Sequence, residues 1–183
     1  AFEASPLVYE HYKASEDFEG KRISYLNMAV SDVNGCIPFN VLTENQGISG
    51  RSSLQDRRDT PGKKLEVPSV NGDSFLKDCE ADGIALGIDV EGAAGKVLPG
   101  LRESLRAGRF SSVFIEVEGR EMWTGQWLDH QVTSFMIAQG YLPVLCDAEH
   151  CPPAFTRPQY NLLFLPQNLL DDELLAWIID CYL

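Results

Sequence analysis

Long apolar runs are missing from this sequence, and no stretch approaches the roughly 20 residues that a helix needs to cross a bilayer. The first residues also lack the basic segment and the following apolar segment that are typical of a signal peptide. We therefore expect a cytoplasmic protein without a membrane span.

Basic residues are few. The 15 Lys and Arg residues stand against 27 Asp and Glu residues, so the net charge is −12 and the sequence pI is about 4.6. A surface of this sign repels a phosphate backbone. The charge balance therefore argues against nucleic acid as a partner.

Paired cysteines are missing as well. The five cysteines are an odd number, are scattered and form no C-x-x-C motif, which suits reduced thiols in a cytosolic compartment. Cys146, Asp147, His150 and Cys151 are residue types that bind zinc, but their spacing matches no standard pair of zinc hooks, so we predict no metal site. No G-x-S-x-G, Walker or H-E-x-x-H motif occurs. The five cysteines are Cys36, Cys79, Cys146, Cys151 and Cys181.

What the sequence does contain suits one folded domain. Its 183 residues are 44% hydrophobic and 23% charged, which is the range of a compact domain with a sizeable core. No internal repeat and no low-complexity linker divides it. We therefore predict a single domain over residues 1–183.

Apolar segments of strand length alternate with segments of helical periodicity along the chain. This order predicts an α/β fold of the Rossmann-like type, with a mainly parallel sheet and an antiparallel last strand. A polar, glycine-rich stretch at 43–64 predicts a long surface loop. The predicted strands are 23–30, 36–42, 65–70, 84–90, 112–117, 141–146 and 160–165, and the predicted helices are 6–18, 73–79, 97–105 with a break at Pro99-Gly100, and 128–139.

Acidic residues fall at the ends of the predicted strands, where α/β sheets bind their ligands. Glu3 is placed to accept both hydroxyls of a ribose, or equally to cap the helix that follows it. Asp89 and Glu91 follow a central strand, and strand alternation puts them on the same side. They suit a proton acceptor, cation ligands or anchors for an amino group, or they cap the next helix. Glu116 interrupts an apolar strand and points into a polar site or reaches the surface at the strand end.

Taken in order, these motifs resemble the FkbM family of S-adenosyl-L-methionine-dependent methyltransferases over nearly the whole chain. The stretch most similar to the family is Ile88-Asp89-Val90-Glu91-Gly92. The other similar segments are the acidic second-strand end at 1–6, the third-strand segment at 28–35, the serine-bearing loop at 52–54, the strand before a small helix at 67–73, and the later strands at 114–117, 140–141 and 160–164.

The resemblance implies a class I methyltransferase that moves a methyl group from S-adenosyl-L-methionine to a hydroxyl of a small molecule, sugar or glycan. It begins at the family's second strand, so we expect the first strand and its glycine-rich loop to be missing and the domain to be N-terminally incomplete. The cofactor would be bound by Glu3 at the ribose, by Val30, Ser31 and Asp32 beside the adenine, and by Asp89. Asp89 would lie nearest the chemistry, with Glu91 and Glu116 shaping the acceptor pocket.

Two other functions stay open. Gly87 and Ala94 stand where the family usually carries Lys and Glu, and with the missing glycine-rich loop they favour a methyltransferase-like binding module or truncated fragment without catalysis. An acidic residue after a second strand would serve an NAD-dependent oxidoreductase equally well, although no hydride-transfer site is recognisable downstream.

Overall fold

The computed structural model describes residues 1–15, 21–41, 53–54, 63–145, 159–171 and 173. The chain divides into two compact units. The first comprises Ala1–Asp78, Glu91–Leu101 and Met122–Gln126, and the second comprises Cys79–Val90, Arg102–Glu121 and Trp127–Leu183.

The first unit contains a three-stranded sheet of order β1-β3-β2. Strand β1 runs parallel to β3, and β2 runs antiparallel to β3 on its other side. Before these strands, Phe2 forms an isolated parallel bridge with Leu26. This bridge lies next to Glu3, where the sequence predicts the end of a strand. The strands are β1 (Ala29–Ser31), β2 (Gly35–Val41) and β3 (Lys63–Asn71).

Short helices follow the strand ends of the first unit. Helix α1 (Pro6–Tyr12) begins at Ser5, whose hydroxyl accepts the Val8 N–H at 3.4 Å, with Pro6 at the first helical position where no N–H is needed. Helices α2 (Gly72–Leu76) and α3 (Ala94–Val97) are single turns, and α3 continues into a 3₁₀ turn at Leu98–Leu101. Pro99 and Gly100 thus interrupt the predicted helix as expected.

The second unit contains a four-stranded sheet of order β4-β5-β7-β6. Only the β4 and β5 pair is parallel, whereas β7 runs antiparallel to both β5 and β6. The last strand is therefore reversed, as predicted, but lies inside the sheet with β6 at its edge. The strands are β4 (Ile84–Ile88), β5 (Phe110–Glu118), β6 (Tyr141–Leu145) and β7 (Gln159–Pro166).

The second unit also contains helices α4 (Arg102–Arg106) and α5 (Asp129–Ala138). Every second side chain is buried along β7, and the same alternation holds for residues 113–117 of β5. The buried hydrophobic side chains on these strands and on α5 include Phe110, Val113, Ile115, Val117, Val132, Met136, Tyr160 and Phe164. One hydrophobic core cluster of the first unit comprises Ala29, Phe39, Val41 and Val67.

The expectation of one mainly parallel sheet is wrong for the described residues. Two of the five strand pairings are parallel and three are antiparallel, and they form two sheets. A parallel pairing needs a long crossover, usually a helix, and β6 and β7 have no helical segment predicted between them. The mixed α/β class itself is confirmed.

Three sequence-based expectations concern residues outside the described part. The loop at 43–64 lies almost wholly outside it, as do Cys146, Asp147, His150 and Cys151. Cys36 and Cys79, which are described, are free thiols. Within the described ranges, no helix combines the length and the apolar character that crossing a bilayer demands.

Candidate active site

Two of the predicted site residues, Asp89 and Glu116, come together in the second unit. Asp89 directly follows β4, and Glu116 lies near the carboxyl end of β5, its parallel neighbour. One carboxylate oxygen of each lies within 4.8 Å of the other. Carboxyl ends of parallel strands meet at the same sheet edge, which explains why residues 27 positions apart in this chain become neighbours. Asp89 is exposed and Glu116 is half-buried.

The Glu116 carboxylate is held in place by β7. Its Oε1 accepts a hydrogen bond from Nε2 of Gln159 at 3.0 Å. Asn161 lies opposite Glu116 in the antiparallel register, so amide side chains flank the carboxylate on this strand. The neighbours of Glu116 along β5, Ile115 and Val117, are fully buried on the opposite face. Strand alternation therefore directs Glu116 away from the core and toward Asp89.

The Glu91–Gly92 turn differs from the sequence-based expectation. Strand β4 ends at Ile88, and Glu91 has φ of +49°, so the chain is not an extended strand at Glu91. Glu91 is the one described residue other than glycine with positive φ. This backbone costs a residue with a Cβ about 1–2 kcal/mol. Strain of this kind is concentrated at functional sites.

Contacts within the first unit hold this turn. The Glu91 carbonyl accepts a hydrogen bond from the Ser53 hydroxyl at 2.6 Å. Gly92 has φ of +82°, and a Cβ placed there would stand 2.8 Å from the Trp123 indole. Trp123 is fully buried, and its backbone N–H donates to the Gln126 side chain at 2.6 Å. Only glycine fits at position 92, because the indole lies directly against the backbone.

Glu3 lies at the edge of the first unit where the predicted strand ends. Its Oε1 accepts the Ser5 N–H at 2.7 Å, and its backbone carbonyl accepts from the Asn27 amide at 2.8 Å. Burial raises the pKa of Glu3 above its usual value of 4.5, and the Ser5 hydrogen bond lowers it by less. Ser5, not Glu3, is the N-cap of α1, and Glu3 only accepts the backbone N–H of this cap residue. One N–H uses part of the acceptor capacity of a carboxylate, so the ribose interpretation stays compatible with this geometry.

The predicted adenine-side residues lie at the carboxyl end of β1. Ser31 is buried, and its hydroxyl bonds Ser69 at 2.8 Å and the Val33 backbone, so its side chain serves the fold. Val30 is half-buried and Asp32 is exposed. The Gly100 backbone packs directly on the Ser31 carbonyl, which no residue with a Cβ could do.

A family model for the methyltransferase FkbM domain matches residues 1–143. The chain belongs to the FkbM methyltransferase family. The match covers Glu3, Val30–Asp32 and the Asp89–Glu116 pair, and it confirms the resemblance inferred from the sequence. No curated protein and no solved structure gives a significant match to the chain.

The structure describes Gly87 and Ala94, the two positions where the sequence resemblance implies lysine and glutamate. Gly87 lies on β4, exposed, and a Cβ there would meet nothing within 4 Å. Ala94 begins α3 and is 1% exposed. A lysine would therefore fit at position 87, whereas a glutamate at position 94 would bury a charge unless its neighbours changed.

Several contributors to the site were missed by sequence reasoning. Gln159 reaches Glu116 only through the β5–β7 register, and Trp123 reaches Gly92 only through the fold. No local pattern marks either residue. The sequence resemblance placed Ser53 in the family's serine-bearing loop but gave it no role. In the structure its hydroxyl donates a hydrogen bond to the Glu91 carbonyl.

Proposed function

We propose that the chain is an S-adenosyl-L-methionine-dependent methyltransferase that methylates a hydroxyl oxygen of a small molecule, sugar or glycan. The family match supports methyl transfer. The observation that carries the hydroxyl assignment is the Asp89–Glu116 carboxylate pair beyond the end of β4. A hydroxyl must lose its proton as its oxygen attacks, and a carboxylate at the site can take that proton.

When bound, S-adenosyl-L-methionine supplies a methyl group already activated by its sulfonium, whose sulfur keeps the electron pair of the broken bond. The chain's own task is to hold the acceptor hydroxyl in line and to accept its proton. We assign proton acceptance to Asp89, which is exposed and can meet an incoming acceptor. Glu116, fixed by Gln159, would orient the acceptor by hydrogen bonding, and Glu91 would add a further acceptor contact.

The adenosine half of the cofactor fits residues of the first unit. The half-buried Glu3 carboxylate suits the vicinal diol of the ribose, because two acceptor oxygens match two hydroxyl donors. Val30 offers apolar surface to an adenine ring, and Asp32 offers polar contacts at its edge. Ser31 would act by supporting this backbone through its bond with Ser69.

A second candidate function is a methyltransferase-like binding module. Gly87 favours it, because the usual lysine beside the acidic pair is replaced by a residue without a side chain. The open space at its Cβ makes Gly87→Lys a structurally compatible test of this alternative. An NAD-dependent oxidoreductase would instead bind NAD in place of S-adenosyl-L-methionine.

Calorimetric titration of S-adenosyl-L-methionine tests the cofactor assignment. The wild-type chain should bind it and should not bind NAD. Glu3→Gln should weaken binding about 10-fold, the equivalent of one charged hydrogen bond. The same change at exposed Glu66, on β3, serves as the matched control and should leave affinity unchanged. Binding of NAD alone would overturn the assignment.

Transfer of a labelled methyl group to a panel of alcohols, sugars and oligosaccharides tests the chemistry. Asp89→Asn should abolish transfer while the affinity for S-adenosyl-L-methionine stays within about 3-fold, since the proton acceptor is lost but not the adenosine contacts. Unchanged turnover in this variant would remove Asp89 from the mechanism. Cofactor binding with no transfer to any acceptor, and none gained by Gly87→Lys, would favour the binding module.

A further inference from the structure

Glu91 occupies a backbone conformation that a glycine would adopt without cost. Its φ of +49° lies in the left-handed region, where a Cβ crowds the carbonyl oxygen. The chain uses glycine at the comparable turn before β4, where Gly83 has φ of +67°. The glutamate at position 91 is thus kept despite the strain, which indicates that its side chain serves a purpose there.

Ser53 is the residue that holds this conformation. Its hydroxyl donates to the Glu91 carbonyl at 2.6 Å, a short hydrogen bond. Ser53 is itself 2% exposed, so its side chain is screened from water. A hydrogen bond to the carbonyl fixes the peptide plane between Glu91 and Gly92, and with it the rotation of both residues.

The position of Ser53 is in turn set by β2. The Ser53 N–H donates to the Asn40 carbonyl at 3.0 Å, and the Asn40 N–H donates to the Ser53 carbonyl at 2.7 Å. Asn40 is buried within β2. The backbone of Ser53 is therefore paired with β2, and its hydroxyl reaches Glu91 although the two residues are 38 positions apart.

We propose that Ser53 is a positioning residue. Its hydrogen bond holds Glu91 in the left-handed backbone conformation and so sets the direction of the Glu91 side chain. This role deepens the proposed function and rests on it, because Glu91 is there assigned to the acceptor. Trp123 restricts the same turn, because its indole lies against Gly92 and leaves no room for a Cβ there.

The second unit offers a matched control. The Ser111 hydroxyl donates to the Gly83 carbonyl at 3.0 Å, with a longer contact of 3.5 Å to the Ile84 carbonyl, and Gly83 is also a left-handed residue. Gly83 needs no support, because it has no Cβ and a Cβ there would meet nothing within 4 Å. Removing the Ser111 hydroxyl should therefore cost one hydrogen bond and leave the backbone of Gly83 unchanged.

Nuclear magnetic resonance of the full chain measures the backbone conformation of Glu91 and needs no methyl-acceptor substrate. The HN–Hα coupling and the Cα and Cβ shifts of Glu91 report its φ and ψ. We expect left-handed values in the wild type and in Ser53→Thr, which keeps the donor, and a shift out of the left-handed region in Ser53→Ala. Ser53→Ala and Ser111→Ala should each lower the melting temperature by about 3 °C, the loss of one hydrogen bond.

These outcomes test the positioning role of Ser53 separately from the proposed function. Left-handed values for Glu91 in Ser53→Ala, or their absence in the wild type, would overturn the positioning role. If the alanine variant fails to fold, Ser53→Cys, which keeps the side-chain volume and weakens the donor, should show the same shift of Glu91. Failure of the wild-type chain to bind S-adenosyl-L-methionine would overturn the proposed function and leave the result on Ser53 standing.

Discussion

At the scale of single residues, a methyl group added at Gly92 should destabilise the fold. A Cβ there would lie 2.8 Å from the buried Trp123 ring, and the φ of +82° strains any other residue. We expect Gly92→Ala to destabilise the fold by about 2–4 kcal/mol, from strain and overpacking together. Gly87→Ala is the matched control, because its Cβ would meet open space, and should change stability little. Chemical denaturation measures both, and equal stability of the two variants would refute the packing argument.

The ionisation of Glu3 gives a second prediction at this scale. Burial raises its pKa above 4.5, so the folded state holds the proton more tightly than the unfolded state does. The stability that Glu3 contributes is fully present below pH 4.5 and is lost as the pH rises through the raised pKa. The melting temperature of the wild type should therefore fall relative to that of Glu3→Gln as the pH is raised from below 4.5 through the raised pKa of Glu3 to neutrality. Parallel melting curves over this range would contradict the prediction.

Among the structural elements, β7 and α5 are joined by a hydrogen bond that ties the sheet to its helix. The hydroxyl of Tyr160 donates to the Asp129 carboxylate at 2.6 Å, and both burial and this bond raise the pKa of Tyr160. Removing a bond to a charged acceptor costs about 2 kcal/mol, so Tyr160→Phe should lower the melting temperature by about 6 °C.

Tyr141 provides the comparison for this element. Its hydroxyl donates to a neutral acceptor, the Phe110 carbonyl, at 3.1 Å. Tyr141→Phe should lower the melting temperature by about 3 °C, roughly half the loss in Tyr160→Phe. Thermal denaturation of the two variants under one set of conditions decides this, and a larger loss in Tyr141→Phe would contradict the charged-acceptor argument.

For the whole molecule, ligand binding should appear as added stability. A ligand that binds the folded state alone stabilises it by about 2.7 kcal/mol at 100 times its dissociation constant. S-adenosyl-L-methionine at that excess should raise the melting temperature of the wild type by about 8 °C. Glu3→Gln should need about 10-fold more cofactor for the same rise. Absence of any rise at saturating cofactor would count against the adenosine site.

The sequence alone determined the local features of this protein. Strand and helix periods, with Pro99-Gly100 as a break, predicted most of the elements, and β4, β5 and α5 were located within two residues of their observed ends. The FkbM family also followed from the order of short motifs, which the match over residues 1–143 confirmed. Helices, strands and short motifs can be predicted from the sequence because each depends mainly on residues close to it in the chain.

The tertiary structure decided what depends on distant partners. The pairing of β7 between β5 and β6 gave the mixed sheet, and it placed Gln159 against Glu116. The backbone at Glu91 also depends on distant residues, because the chain leaves its strand at Ile88 and turns left-handed at Glu91. That turn is stabilised by Ser53 and Trp123, both more than 30 positions away in sequence. A residue's direction at such a turn is set by long-range hydrogen bonds and packing, and no local sequence pattern encodes them.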